Sequence, residues 1–298
     1  MHFDKKSAVL ILAFFLFYFC FGFYNFSQLG QVNNTQDFLF HYGTSKGIDS
    51  ENNYWNSFLS PPNHDYPPAY HFITQFFAFN ELVFYSVNLI LIIVIIPLLI
   101  LQLTKTCWST ILYFCGISFS HMAIFGATYP LMLVFTLVLI YFNYRKNPLV
   151  FVVLMYLAGL THSKGIIIFF LILLAEILTY SIKQNALLGI GWLHQDVLDS
   201  PQKLVYALLF HLPIPLLYFG WKNKNWFYWI LLTFGLLASF IEFRAIGLSQ
   251  LTLLILASKP IQKTKNKVKL GLLLFLTFQT LYYILEFCLG TQKLILLN

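Results

Sequence analysis

From Leu82 to Thr104 the chain reads LVFYSVNLILIIVIIPLLILQLT, with no charge anywhere in the run. In lipid, every backbone N–H and C=O must be satisfied within the protein, so such a run is predicted to be a membrane helix. About 20 apolar residues cross a hydrocarbon core of roughly 30 Å. Similar runs recur at 7–24, 107–124, 128–143, 148–161, 165–182, 204–220, 226–241, 244–258 and 270–289. The chain is 59% hydrophobic and 10% charged, against roughly 25% charged for soluble domains. The expected fold is an all-α polytopic membrane protein, a single membrane domain over 1–298 with about 9–11 transmembrane helices.

The net charge of +7 does not indicate nucleic acid. Lysines cluster at Lys5–Lys6 and at Lys259, Lys263, Lys265, Lys267 and Lys269, each cluster beside an apolar run. That is the pattern of cytoplasmic anchoring. No small-residue cleavage site follows the first run, so 7–24 reads as a retained signal-anchor helix with a cytoplasmic N-terminus. Cys20, Cys107, Cys115 and Cys288 lie scattered in apolar segments and show no ligand spacing. Phosphate-loop, dinucleotide-fold, zinc-protease and serine-hydrolase signatures are absent from the sequence.

One long polar segment, 25–81, interrupts the apolar runs. It holds Asp37, Asp49, Glu51, Asp65 and Glu81 against the single Lys46. With Lys5–Lys6 inside, this loop faces outward. Within it, 68–79 is predicted as an apolar juxtamembrane helix too short to span, lying in the interface. Pro67–Pro68 stop any arriving helix and start this one. Alternation then places Lys105 and Arg145–Lys146 inside and His162–Lys164 outside. If 204–220, 226–241 and 244–258 each cross once, Lys259–Lys269 fall outside, against the charge rule. The preferred arrangement keeps those lysines inside and puts Arg244 at the outer face, with 184–203 or the proline-broken 204–220 departing from single crossing.

The outer side thereby collects Asp37, His41, Asp65, Tyr66, His71, His162, Lys164 and Arg244, with Glu242 beside the arginine. Ionisable groups at membrane depth usually mark a site or cavity. Each also has a plainer reading. Asp37 can be a solvated loop acid, His162 and Lys164 snorkelling turn residues, and Arg244 an anchor. Asp65 can be a helix cap, and His71 a packing or interface residue on a Phe-rich helix. Asp37 and His41, four apart, share a face if helical.

Taken in order, TQDFLFHYG (Thr35–Gly43), DYPPAYHFITQFFAF (Asp65–Phe79), GLTHSKG (Gly159–Gly165) and EFRAIGLSQLTLLILA (Glu242–Ala257) resemble the GT-C glycosyltransferases. That superfamily includes protein O-mannosyltransferases and aminoarabinose transferases. The resemblance runs over roughly residues 7–260. It departs from the family's Asp-Glu or Asp-x-Asp, since Phe38 follows Asp37, and the family's soluble C-terminal domain has no counterpart among the 298 residues. It implies a polyprenyl-phosphate-linked sugar as donor, bound beside membrane lipid, and an acceptor hydroxyl on protein, lipid or glycan. It implies Asp37 as general base, and Arg244, Lys164 and His162 on the donor phosphate. His41, Asp65 and Tyr66 would orient Asp37 or the sugar. No cofactor is firmly implied. A divalent metal between Asp37 and Asp65 stays open, although an isolated Asp favours the metal-independent variant. Two other classes also stay open: a non-catalytic scaffold or subunit, and a transporter of lipid-linked substrates. The broken 204–220 run fits a transporter, while the lack of internal repeats does not.

Overall fold

The structure is a computed structural model that describes residues 5–27, 41–46, 69–116, 129–142, 147–159, 170–175, 178, 213–239 and 246–288. Among them the regular elements are all helical, with no strand. The chain divides into two compact units. One comprises 1–14, 100–119 and 170–298; the other comprises 15–99 and 120–169.

Helix α1, Lys5–Ser27, covers the first apolar run. Helix α2, Ala69–Thr74, continues as a 3₁₀ turn, Gln75–Phe77. The expected interfacial helix over 68–79 is therefore shorter, and a turn at 78–80 follows it. Asn80 caps the next helix, its Oδ1 accepting from Leu82 N at 2.8 Å and Val83 N at 3.3 Å. This satisfies two of the first backbone donors.

The uncharged run 82–104 forms one helical rod with a wide turn inside it. Helix α3 spans Glu81–Ile90, a π-turn occupies Leu91–Ile95, and α4 runs Ile96–Thr104. Pro97 explains the wide turn. It has no N–H to give the carbonyl of Ile93, and its ring would clash there. The backbone widens just upstream, with Ile96 N–H bonding the carbonyl of Leu91. At 24 residues, Glu81–Thr104 is about 36 Å long. It and Ser7–Tyr24 are long and apolar enough to cross a membrane. Cys107–Gly116, Pro130–Tyr141 and Trp226–Ala238 are apolar but shorter.

In the unit holding 15–99, α1 runs antiparallel to this rod. Gly22 lies against Leu89, and Phe26 against Tyr85 at a 5.2 Å ring separation. A side chain at Gly22 would enter the space of the Leu89 methyls. Helix α6, Tyr129–Phe142, packs on the π-turn and on α7, Pro148–Gly159.

In the other unit, α5 is Cys107–Gly116, α8 Pro215–Gly220, α9 Trp226–Ser239, α10 Ile246–Gln262 and α11 Asn266–Cys288. Of the broken 204–220 run, α8 is described. It begins at Pro215, where a proline at the first helical position costs no hydrogen bond. Helix α10 is its unit's central element, with every residue from Ile246 to Ser258 buried. Pro260 lies inside it and deprives the Leu256 carbonyl of its helical donor. Asn223 Nδ2 replaces that donor at 3.2 Å. The Thr280 hydroxyl donates to the carbonyl of Cys115, joining α11 to α5.

Helices α9 and α10 meet at Gly235. A Cβ there would stand 2.4 Å from Ser249 Oγ and 3.1 Å from Ser249 N. Gly235→Leu is therefore expected to force the helices apart and to cost about 1–3 kcal/mol or more. A lowered unfolding midpoint in detergent would show this, and an unchanged midpoint would contradict the close crossing.

Candidate functional site

The site is built from two short described segments of the polar stretch 25–81, residues 41–46 and α2. On the upstream side the helical turn 41–46 puts His41 and Ser45 one turn apart on one face, and both are buried. On the downstream side α2 turns Tyr70, His71 and Thr74 inward. The two segments are joined by two rungs. His41 Nδ1 and His71 Nε2 are 2.8 Å apart, and so are Ser45 Oγ and Thr74 Oγ1. The Thr74 hydroxyl gives its one hydrogen to the carbonyl of Tyr70 at 2.8 Å. Ser45 is therefore the donor in the second rung. In the first rung one imidazole nitrogen donates and the other accepts, according to tautomer.

This pair of rungs is fixed to the membrane-length rod. Asn88, on α3, donates from Nδ2 to the Tyr70 hydroxyl at 2.8 Å. An asparagine in that apolar helix is costly unless bonded. Tyr70 meets it, and packs edge-on against Phe84 and His41, at ring separations of 6.2 and 5.4 Å. Tyr42 also meets Phe84 edge-on at 5.5 Å, with Lys46 Nζ 5.8 Å from its ring centre. Tyr70, Ala78, Phe84 and Leu131 form the apolar floor beneath.

The polarity of α2 and its 3₁₀ extension is inverted relative to a soluble helix. Its buried face carries Tyr70, His71 and Thr74, while Ile73, Phe76 and Phe77 are exposed. Phe76 is 72% exposed, and Phe79, just beyond, 73%. Water does not favour contiguous phenylalanines on an outer face. A lipid interface does.

Of the residues the sequence singled out, His41 is described and sits in the first rung, 0% exposed. Asp37, Asp65, Tyr66, His162, Lys164 and Arg244 lie outside the described residues. His71, read from sequence as a packing or interface residue, is 1% exposed and forms the other half of the rung. The sequence signal for His71 is a polar stripe, Tyr70–His71–Thr74, on a helix otherwise made of Phe, Ile and Ala. For Asn88 it is a single amide inside the uncharged run 82–104.

Among the described residues no three His, Cys, Asp or Glu side chains gather to hold a metal. The facing nitrogens of His41 and His71, 2.8 Å apart, bond each other. Two ligands of one tetrahedral zinc stand roughly 3.3 Å apart. No family model, no curated protein and no solved structure matches the chain.

Proposed function

We propose that the chain is a multi-pass membrane glycosyltransferase of the GT-C kind. It moves a sugar from a polyprenyl-phosphate donor to an acceptor hydroxyl at the outer face, with its N-terminus in the cytoplasm. The observation that carries this reading is the His41–His71 rung. It joins residues 41–46, which follow Asp37 in the sequence, to α2, which follows Asp65–Tyr66. The inverted polarity of α2 supports it, because exposed phenylalanines suit the depth at which a lipid-linked sugar presents its head.

The chemistry asked of the residues is simple. Asp37 takes the proton of the acceptor hydroxyl, whose oxygen attacks the anomeric carbon in line. The bond from that carbon to the phosphate oxygen breaks, and the polyprenyl phosphate leaves with the electron pair. Arg244, Lys164 and His162 have the sign needed to hold that phosphate and stabilise its growing charge. Asp65 and Tyr66 would orient the sugar. No step requires a metal.

The test is release of polyprenyl phosphate by the purified chain from donors carrying different labelled sugars, with protein, lipid and glycan acceptors. Sugar transfer to any of them supports the reading. Silence across the whole panel would favour a non-catalytic scaffold.

A further inference from the structure

The unit built on α5 and α8–α11 carries an accumulation of lysines at one end. Asn223 Nδ2 bonds the carbonyl of Leu256, placing the turn 221–225 beside the last turns of α10. Trp229 Nε1 donates to the carbonyl of Asn223 at 2.8 Å and holds that turn down. Lys269 Nζ donates to the carbonyl of Gln262 at 2.9 Å and lies 4.9 Å from the ring centre of Trp108. This brings the start of α5, just after Lys105, to the same end. Lys105, Lys222, Lys224, Lys259, Lys263, Lys265, Lys267 and Lys269 therefore lie in segments gathered at this end, and no acidic residue accompanies them in those segments among the described residues. Tyr218, Trp221 and Trp226 are exposed at its edge, Trp221 to 81%.

We infer that this end is a docking surface for anionic glycerophospholipid headgroups. Lysines alone would serve topology, but here they stand behind a fringe of exposed Trp and Tyr. Those rings settle at headgroup depth, leaving the ammonium groups level with lipid phosphates. Lys222 Nζ, 5.8 Å from the ring centre of Tyr218, shows that pairing of amphipathic ring and cation. A bilayer supplies the complementary charge as a dense, laterally mobile sheet. The surface thus binds many headgroups weakly rather than one tightly. The inference rests on residence in a membrane, not on sugar transfer.

Trp108, Trp221, Trp226 and Trp229 are four of the six tryptophans and report on this end directly. The chain, carrying Trp55→Phe and Trp192→Phe, is reconstituted with brominated phosphatidylglycerol or brominated phosphatidylcholine. Quenching by the anionic lipid should be several-fold more effective at low salt, and the preference should collapse near 1 M salt. Lys263→Gln, Lys265→Gln and Lys267→Gln together should lower the preference by roughly fivefold or more, with helicity by circular dichroism unchanged. Equal quenching by the two lipids, or a preference untouched by the three substitutions, would overturn the inference. Quenching by neither lipid would overturn membrane residence with it. An RNA oligonucleotide that abolishes the lipid preference at equal phosphate concentration would reassign the surface to nucleic acid.

Discussion

Asp37→Asn is expected to lower the turnover of sugar transfer by about 10²–10⁴-fold, the range for loss of a positioned general base. Asparagine keeps the size of the side chain but has no proton affinity to lend the attacking hydroxyl. The loss should fall on kcat, with KM for the donor little changed, because the donor phosphate is assigned to Arg244, Lys164 and His162. Arg244→Ala should show the complementary pattern, with weaker donor use as well as slower turnover. Helical content and monodispersity in detergent should match the native chain in both. Equal turnover of Asp37→Asn and native protein would remove Asp37 from the mechanism.

His41→Ala and His71→Ala are each expected to destabilise the chain by about 1–3 kcal/mol. Each leaves a buried ring nitrogen without its bond, and a cavity adds to the loss. The double substitution should cost less than the sum, by roughly 0.5–3 kcal/mol, because both single changes break the same rung. Transfer should fall in all three, since the stretch following Asp37 would lose its hold on α2. Strict additivity in denaturant unfolding would mean the rings do not act as a unit. Phenylalanine at position 41 separates packing from bonding. It refills the space and should recover part of the stability but not the transfer.

The helices were largely legible because their cause is local. Runs such as 7–24 and 226–241 are apolar on every face, and in lipid such a run has no alternative to a helix. The observed Lys5–Ser27 and Trp226–Ser239 follow. Breakers were legible in kind but not in consequence. Pro97 sits openly in the long run, yet the wide turn at Leu91–Ile95 depends on how the backbone disposes of one lost bond. Pro260 announces an orphan carbonyl at Leu256. That Asn223 answers it, 33 residues away, is a tertiary fact with no trace in local pattern.

The site was legible in part for the same reason. His41 drew attention through its spacing from Asp37. Its partner lies 30 residues on, where the local pattern reads a polar residue on an apolar helix as a packing or interface residue. That reading presumes water outside. With Phe76 and Phe79 facing outward, the polar face of α2 becomes the buried one, and His71 and Thr74 stand where they can bond.

In the proposed reaction, sugar passes from a lipid phosphate to a hydroxyl in one in-line displacement. The stereochemistry of the product tests it most directly. A donor of known anomeric configuration is incubated with the native chain and an acceptor, and the product's anomeric proton is read by NMR. Inversion at that carbon is expected, with polyprenyl phosphate released in equal amount. Retention of configuration, or no product from any donor and acceptor pair, would contradict it.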